Sequence, residues 1–213
     1  MPLALASKLR FGSPAVRPDE ELIAEVLAGQ TAAYAELASR YRDKVERLCR
    51  RFFADSEIVR DLAQESFIRA FTKLSTFRAE MPFGAWLHAV VTNVCYDELR
   101  RRQRRPEDLV ADFSAPEYTW AQLVSEATPE EIVSAAEQRQ EAVDLAHRLL
   151  DSLRPDDKTV MILKEAENLS VAEIAQILGW SEAKVKIRAF RARQLMRKRA
   201  EQILNTRRRR AVR

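Results

Sequence analysis

The chain has 213 residues, 46% of them hydrophobic, with only four glycines and two cysteines, which is enough for one or two modest domains with their own cores. Strand patterns are scarce and helical spacing pervades the chain, so the sequence predicts an all-α fold and excludes a sheet protein. Net charge is only +4, yet residues 184–213 hold 13 basic and 1 acidic residue while the preceding 183 carry −8; such a local basic pole is the expected footprint of a nucleic-acid contact.

The opening stretch, MPLALASKLRFGSPAVRP, has too short an apolar run for a leader, and its basic residues follow that run rather than precede it. No segment approaches the length of a membrane span, so no membrane insertion is expected. Asp19 is predicted to cap a short helix through Leu22, Ile23, Val26 and Leu27, ended by Gly29. Thr31 opens a longer helix in which Tyr34, Leu37, Tyr41, Val45 and Leu48 recur up to Phe52 and Phe53. Both read as scaffold.

A third helix is expected from about Asp55 to Leu74. Its buried stripe is Ile58, Leu62, Ala63, Ser66, Phe67, Ala70, Phe71 and Leu74, with Asp61, Gln64, Glu65 and Ile68 off that stripe. Three polar side chains one turn apart could dock a basic partner; by spacing alone they read as a solubilising face.

Pro82 is placed at the first position of a fourth helix, which buries Phe83, Trp86, Leu87, Val90, Val91, Val94 and Leu99. Asn93 interrupts the apolar run, either bonded to neighbouring backbone or presenting an amide to a base edge. The helix ends in Arg100, Arg101, Arg102, Arg104 and Arg105; the helix dipole accounts for one or two cations there, and five suggest phosphates.

Residues 106–141 hold nine acidic residues against one basic, Arg139. A segment of that charge cannot lie along DNA, so it is either a solvated linker or occupies a basic channel on a partner. Thr128, Pro129 and Glu131 form a capping box that marks the start of a second domain. A helix through Leu145, Leu149 and Leu150 follows, then a turn at Arg154 to Asp157 and an apolar helix of Val160, Met161, Leu163 and Ala166.

The last stretch, SVAEIAQILGWSEAKVKIRAFRARQLMRKR from Ser170 to Arg199, is the most specific. Ser170 and Glu173 make a capping box, Gly179 supplies a residue able to turn the chain with positive φ, and Ser181 caps a second helix beginning at Glu182. That is a helix-turn-helix. Val185, Ala189, Ala192 and Met196 fall on one side of its second helix, with Lys184, Lys186, Arg188, Arg191 and Arg193 elsewhere, as suits an element pressed into a major groove.

Cys49 and Cys95 read as buried free thiols in a reducing compartment, hence a cytoplasmic protein. With His88 and His147 they show no close ligand pair of the zinc type, so no metal or cofactor is expected. No nucleophile with its base and no phosphate-cradling glycine loop is visible, which argues against an enzyme.

With DLAQESFIRAF (Asp61 to Phe71) and FRAEMPFGAWLHAVVTNVCYDELRRR ahead of LSVAEIAQILGWSEAKVKIRAFRARQLMR, the chain resembles a bacterial RNA polymerase sigma factor of the sigma-70 family, extracytoplasmic-function group. The likeness covers about residues 19–204. It implies that Asp61, Gln64 and Glu65 grip a coiled coil of core RNA polymerase. It implies that the loop around Phe77 and Arg78, with Asn93, captures a base flipped from the minus-ten element of promoter DNA, an event that requires the base to leave the duplex. Arg100, Arg101 and Arg102 would hold adjacent phosphates. Lys184, Lys186, Ile187, Phe190 and Arg191 would face the minus-thirty-five element, with core packing the other option for Phe190. An anti-sigma factor is a further partner of such proteins.

Ala89 and Thr92 stand where the group often has arginine, Ile187 where serine is frequent, and Ala183-Lys184 where glycine and threonine are usual. Isoleucine can contact a thymine methyl but cannot donate a hydrogen bond, so promoter preference does not carry over. The expected organisation is a tail (1–18), a polymerase- and minus-ten-binding domain (19–105), an acidic linker (106–127), a minus-thirty-five-binding domain (128–204) and a basic tail (205–213). The linker is expected to thread the polymerase's RNA exit channel. The competing readings are a stand-alone helix-turn-helix transcriptional regulator and an adaptor that sequesters a regulatory protein.

Overall fold

The computed structural model describes residues 17–104, 143 and 145–211. The expected acidic linker, the capping box at Thr128 and residues 1–16 lie outside the described residues. Every element within them is helical, as expected.

The first domain is built from α1 (Asp19–Leu27), α2 (Ala32–Phe52), α3 (Ser56–Lys73) with a 3-10 turn at Leu74–Thr76, and α4 (Phe83–Arg104). Each helix contributes an i, i+3, i+4 stripe, and these stripes close over one core. Leu22, Leu37, Tyr41, Phe52, Val59, Leu74, Leu87, Val91 and Val94 are almost wholly removed from solvent. Burial of side chains of this size stabilises by roughly 1.5–3 kcal/mol each before chain entropy is counted.

Three expectations need correction here. Asp19 does not cap α1, which starts from Pro18 without a side-chain cap; its carboxylate instead pairs with Arg40 and accepts from the Tyr41 hydroxyl, tying α1 to α2. Pro82 precedes α4 rather than opening it, and its carbonyl accepts from Ala85 and Trp86. Phe71 is 41% exposed rather than part of the α3 stripe, while Val59 is buried in α3, because packing against α2 and α4 rotates the stripe slightly. Asp55 caps α3 as expected, accepting from Glu57 and Ile58 backbone amides.

The second domain comprises α5 (residues 145–151), α6 (Pro155–Met161), a π turn (Ile162–Ala166), α7 (Val171–Leu178) and α8 (Glu182–Ala211). Pro155 opens α6 at the position where its missing N–H costs nothing. The π turn carries one extra residue, with the Glu167 amide bonding the Ile162 carbonyl at 3.0 Å, so the chain leaves this helix rotated from α-helical register. Asn168 then adopts φ +54°, a left-handed conformation that Asn tolerates. The last helix runs as one helix from Glu182 to Ala211.

The two domains pack against each other. Ala85 of α4 is fully buried in the second domain's cluster of Val160, Leu163, Leu169, Ile174 and Val185, while Ile162 is 1% exposed inside the first domain's core.

Candidate nucleic-acid interface

The helix-turn-helix forms as its sequence dictates. The Ser170 hydroxyl accepts from the Glu173 amide at 3.3 Å, and the Glu173 carboxylate accepts from the Ser170 amide at 2.6 Å. Gly179 takes φ +64° at the turn, and the Ser181 hydroxyl accepts from the Lys184 amide at 3.3 Å. Val185, Ala189 and Ala192 are buried, which fixes the rotation of α8 about its axis. Ile187 and Phe190 therefore face outward, 51% and 64% exposed, flanked by exposed Lys186 and Arg191. The open alternative for Phe190, core packing, is excluded by that exposure. Lys184 sits with its ammonium 3.5 Å from the Trp180 ring centroid, a cation–π contact that keeps its charge beside the turn.

Arg188 departs from the expected set of outward cations. It lies three residues from Val185 and four from Ala192, on the border of the buried stripe. Its guanidinium reaches Asp156 at 2.9 Å and Asp157 at 3.3 Å, so it fastens α8 to α6. Asp156 also accepts from the Tyr96 hydroxyl of α4 at 2.7 Å. Burial, then this carboxylate, pushes the Tyr96 phenol up to about 12.

On α3, Asp61 and Gln64 are exposed. Glu65 is held by Arg69 at 2.6 Å, and Arg69 also reaches Asp97 of α4 at 2.8 Å. Ile68 and Phe71, 51% and 41% exposed, complete an apolar surface beside these polar groups; the Phe71 ring meets Tyr34 edge-on with centroids 5.0 Å apart. Exposed apolar side chains next to carboxylates make a face suited to a basic, partly apolar partner.

Phe77 is half-buried and packs its ring edge-on against Phe83 and Trp86, centroids 5.7 and 5.6 Å away. It anchors the loop, leaving Arg78 exposed beside it. The Asn93 amide donates to the Ala89 carbonyl at 2.9 Å and reaches the Ile177 carbonyl of α7 at 3.5 Å. Arg100 lies over the Tyr96 ring, 5.6 Å from its centroid. Arg101 and Arg102 both bond Glu98, at 2.6 and 2.8 Å. Burial raises the Glu98 carboxyl, but the two arginines outweigh that and hold it below the usual range.

The Sigma-70 region 2 family matches residues 37–105, and the Sigma-70, region 4 family matches residues 144–196. The chain is 33% identical to the ECF RNA polymerase sigma-E factor of Haemophilus influenzae, over 84% of this chain and 93% of that protein. It is 32% identical to the ECF RNA polymerase sigma factor SigW of Bacillus subtilis over 83% of this chain and 93% of that one. The chain belongs to the extracytoplasmic-function sigma factors of the sigma-70 family. It is accordingly a sigma factor that acts with RNA polymerase in promoter recognition.

The fold of this sigma factor is shared with solved structures. CnrH in complex with the cytosolic domain of CnrY is 23% identical, with a TM-score of 0.54, covering 86% of this chain and 97% of that one. The sigma factor RpoE from Bartonella quintana, in complex with the anti-sigma factor NepR, is 20% identical with a TM-score of 0.50, covering 82% and 96%. Sigma factors are generally non-catalytic recognition subunits. Among the described residues no helix is long and apolar enough to cross a membrane.

The candidate residues fall on three surfaces of this sigma factor rather than in one pocket. The α3 face carries Asp61, Gln64 and Glu65; the loop and α4 carry Arg78, Asn93 and Arg100 to Arg102; α8 carries Ile187, Phe190 and their flanking cations. Sequence reasoning missed the groups between the domains: Arg51, His88, Tyr96, Asp156 and Glu167. Glu167 has Arg51 at 2.7 Å and His88 at 3.3 Å. Burial pushes its carboxyl up, yet His88 and then Arg51 bring it below the ordinary range. No linear motif announces such pairs, since their members are 116 and 79 residues apart in the chain.

Proposed function

We propose that this sigma factor binds core polymerase through Asp61, Gln64 and Glu65 and melts and reads the minus-ten element with its first domain. The exposed Ile187–Phe190 pair on α8 carries the reading of the second domain. Two apolar side chains 51% and 64% exposed, ringed by Lys184, Lys186 and Arg191, fit a major groove in which cations take phosphates and apolar groups meet thymine methyls. This domain reads the minus-thirty-five element.

In the first domain Asn93 presents an amide able to bond the edge of an extruded base, with Arg78 nearby and Arg100, Arg101 and Arg102 on the flanking phosphates. Phe77 supports that loop from the core side. The arginines would exchange Glu98 and the Tyr96 ring for phosphate, a stronger charge-assisted partner. The acidic segment between the domains would occupy the basic RNA exit channel of the polymerase. The protein works in the cytoplasm, has no active site of its own, and is held in check by an anti-sigma factor. The structure of RpoE with the anti-sigma factor NepR supports that partner class.

The test is transcription from a library of promoter fragments by core polymerase, with and without this protein, beside the triple change Asp61→Ala, Gln64→Ala, Glu65→Ala. Start sites directed by the wild type and lost in the triple variant are expected. Activity from both would move the docking face elsewhere, and DNA binding without any start site would favour a stand-alone regulator.

A further inference from the structure

Where the two domains meet, α4, the start of α6 and the helix-turn-helix enclose an open cleft of about 490 Å³. Four cations line it, Arg100 from the first domain and Arg154, Lys184 and Arg188 from the second, against one carboxylate, Asp156. That carboxylate is already spent, since it pairs with Arg188 at 2.9 Å and accepts from the Tyr96 hydroxyl at 2.7 Å. Arg188 also has Asp157 at 3.3 Å, so its charge is answered within the protein. Arg100, Arg154 and Lys184 form no ion pair among the described residues. Three unanswered cations from three segments of the chain therefore converge on one cleft.

Two of them are held in place by aromatic rings. The Arg100 guanidinium lies 5.6 Å from the Tyr96 ring centroid, and the Lys184 ammonium 3.5 Å from that of Trp180. The two rings meet edge-on with centroids 5.9 Å apart, so one aromatic pair spans the domains and carries a cation on each ring. A guanidinium stacked on a ring keeps its in-plane N–H donors free for an anion. Leu178 and Pro155 add apolar wall, and walls of low dielectric focus the field of like charges gathered in a cleft. Arg154 belongs to none of the three surfaces described above, and its side chain is exposed.

We propose that this cleft binds a small polyphosphate, either an inorganic chain or the phosphate chain of a nucleotide, held by Arg100, Arg154 and Lys184. Cations on three separate segments call for acceptor oxygens on more than one phosphorus, and the cleft has the volume of a small-molecule site. Asp156 does not repel the ligand strongly, because Arg188 and the Tyr96 hydroxyl cover its charge. The ligand touches both domains, so it binds only their packed arrangement, and it occupies Arg100 and Lys184, which the functional reading gives to promoter DNA. Polyphosphate should therefore compete with the promoter by mass action. The site goes beyond that functional reading; the competition alone rests on it.

Isothermal titration of the full chain at fixed ionic strength tests the site, with sodium triphosphate and magnesium-free ATP as probes and sulfate as the control anion. One triphosphate or ATP should bind per chain, and sulfate about tenfold more weakly. Arg154→Gln and Arg100→Gln should each weaken triphosphate about tenfold, the loss of one charge-assisted bond. Arg60→Gln, an exposed position of α3 outside the cleft, should leave it unchanged. ATP binding more tightly than triphosphate would support a nucleotide as the source of the chain, and equal binding an inorganic one. Equal affinity in all three variants, or sulfate as tight as triphosphate, overturns the site and leaves only a diffuse attraction of anions to the basic pole.

Promoter complexes formed with core polymerase in the absence of nucleotides keep the two readings apart. With free magnesium held constant, triphosphate at about two to nine times its own Kd should raise the wild-type concentration needed for half-maximal complex about three- to tenfold. Arg154→Gln should stay within about twofold of its value without triphosphate. Equal inhibition of both proteins overturns the competition. Absence of promoter complexes from every form overturns the functional reading and leaves the site to stand or fall by the titration.

Discussion

Arg51 of α2 and Glu167, just beyond the π turn of the second domain, meet at 2.7 Å across the domain junction, with the other Glu167 oxygen 3.3 Å from buried His88. The carboxyl is held below its ordinary value of 4.5. A carboxylate with a depressed folded-state pKa adds stability that is present above its unfolded value and lost as pH falls through the folded one. Thermal melts should therefore show a loss of stability below about pH 4.5 that Glu167→Gln lacks. At neutral pH the same change should cost about 1–3 kcal/mol. Parallel acid profiles for the two proteins would contradict this role.

The exposed pair on α8 should separate binding from folding. Ile187→Ser and Phe190→Ala remove apolar area that faces solvent, so the unfolding free energy from urea titration should change by no more than about 0.5 kcal/mol. On the proposed reading of α8, promoter-directed transcription should fall in both, because the apolar contact to the groove is lost. A large drop in stability would place these side chains in a core instead.

Caps at the helix-turn-helix carry local stability. Ser170→Ala leaves the Glu173 amide without its acceptor and should cost about 1 kcal/mol. Gly179→Ala meets open space, with no atom within 4 Å of the added Cβ, but holds an L residue at φ +64°, which costs roughly 1–2 kcal/mol. Urea unfolding of the two single variants and their combination measures both, and the double change should be near-additive only if the two ends of α7 act independently.

Cys49 and Cys95 are fully buried and their sulfurs lie 3.8 Å apart between α2 and α4. Burial pushes the Cys95 thiol well up, and the neighbouring Cys49 adds to it. Thiolate is the reactive form, so a thiol reagent should find neither group in the native protein and both after unfolding in urea. Rapid modification under native conditions would show that α2 and α4 separate readily.

Much of this protein is legible in its sequence. The stripe of α2, the Asp55 cap of α3, the Ser170–Glu173 capping box, the Gly179 turn and the Val185–Ala189–Ala192 side of α8 are local features, set by helical period and by which side chains satisfy terminal amides. Phe190, for which the sequence left core packing open, is placed outward beside Ile187 by the packing of α8. What sequence could not supply was the pairing of distant groups. Arg188 reads as one more DNA-facing cation until α6 brings Asp156 and Asp157 beneath it. Asp19 reads as a cap until α2 offers Arg40 and Tyr41. Glu167 has no motif, yet the extra residue of the π turn and the left-handed Asn168 bring it against Arg51 and His88. The sequence by itself determined the helices, the caps at Asp55, Ser170 and Ser181 and most of the buried faces, because those depend on neighbours three or four residues apart. Only the tertiary structure decided which charges are spent inside the molecule and that the two domains share a junction, because such contacts join residues that only folding brings together.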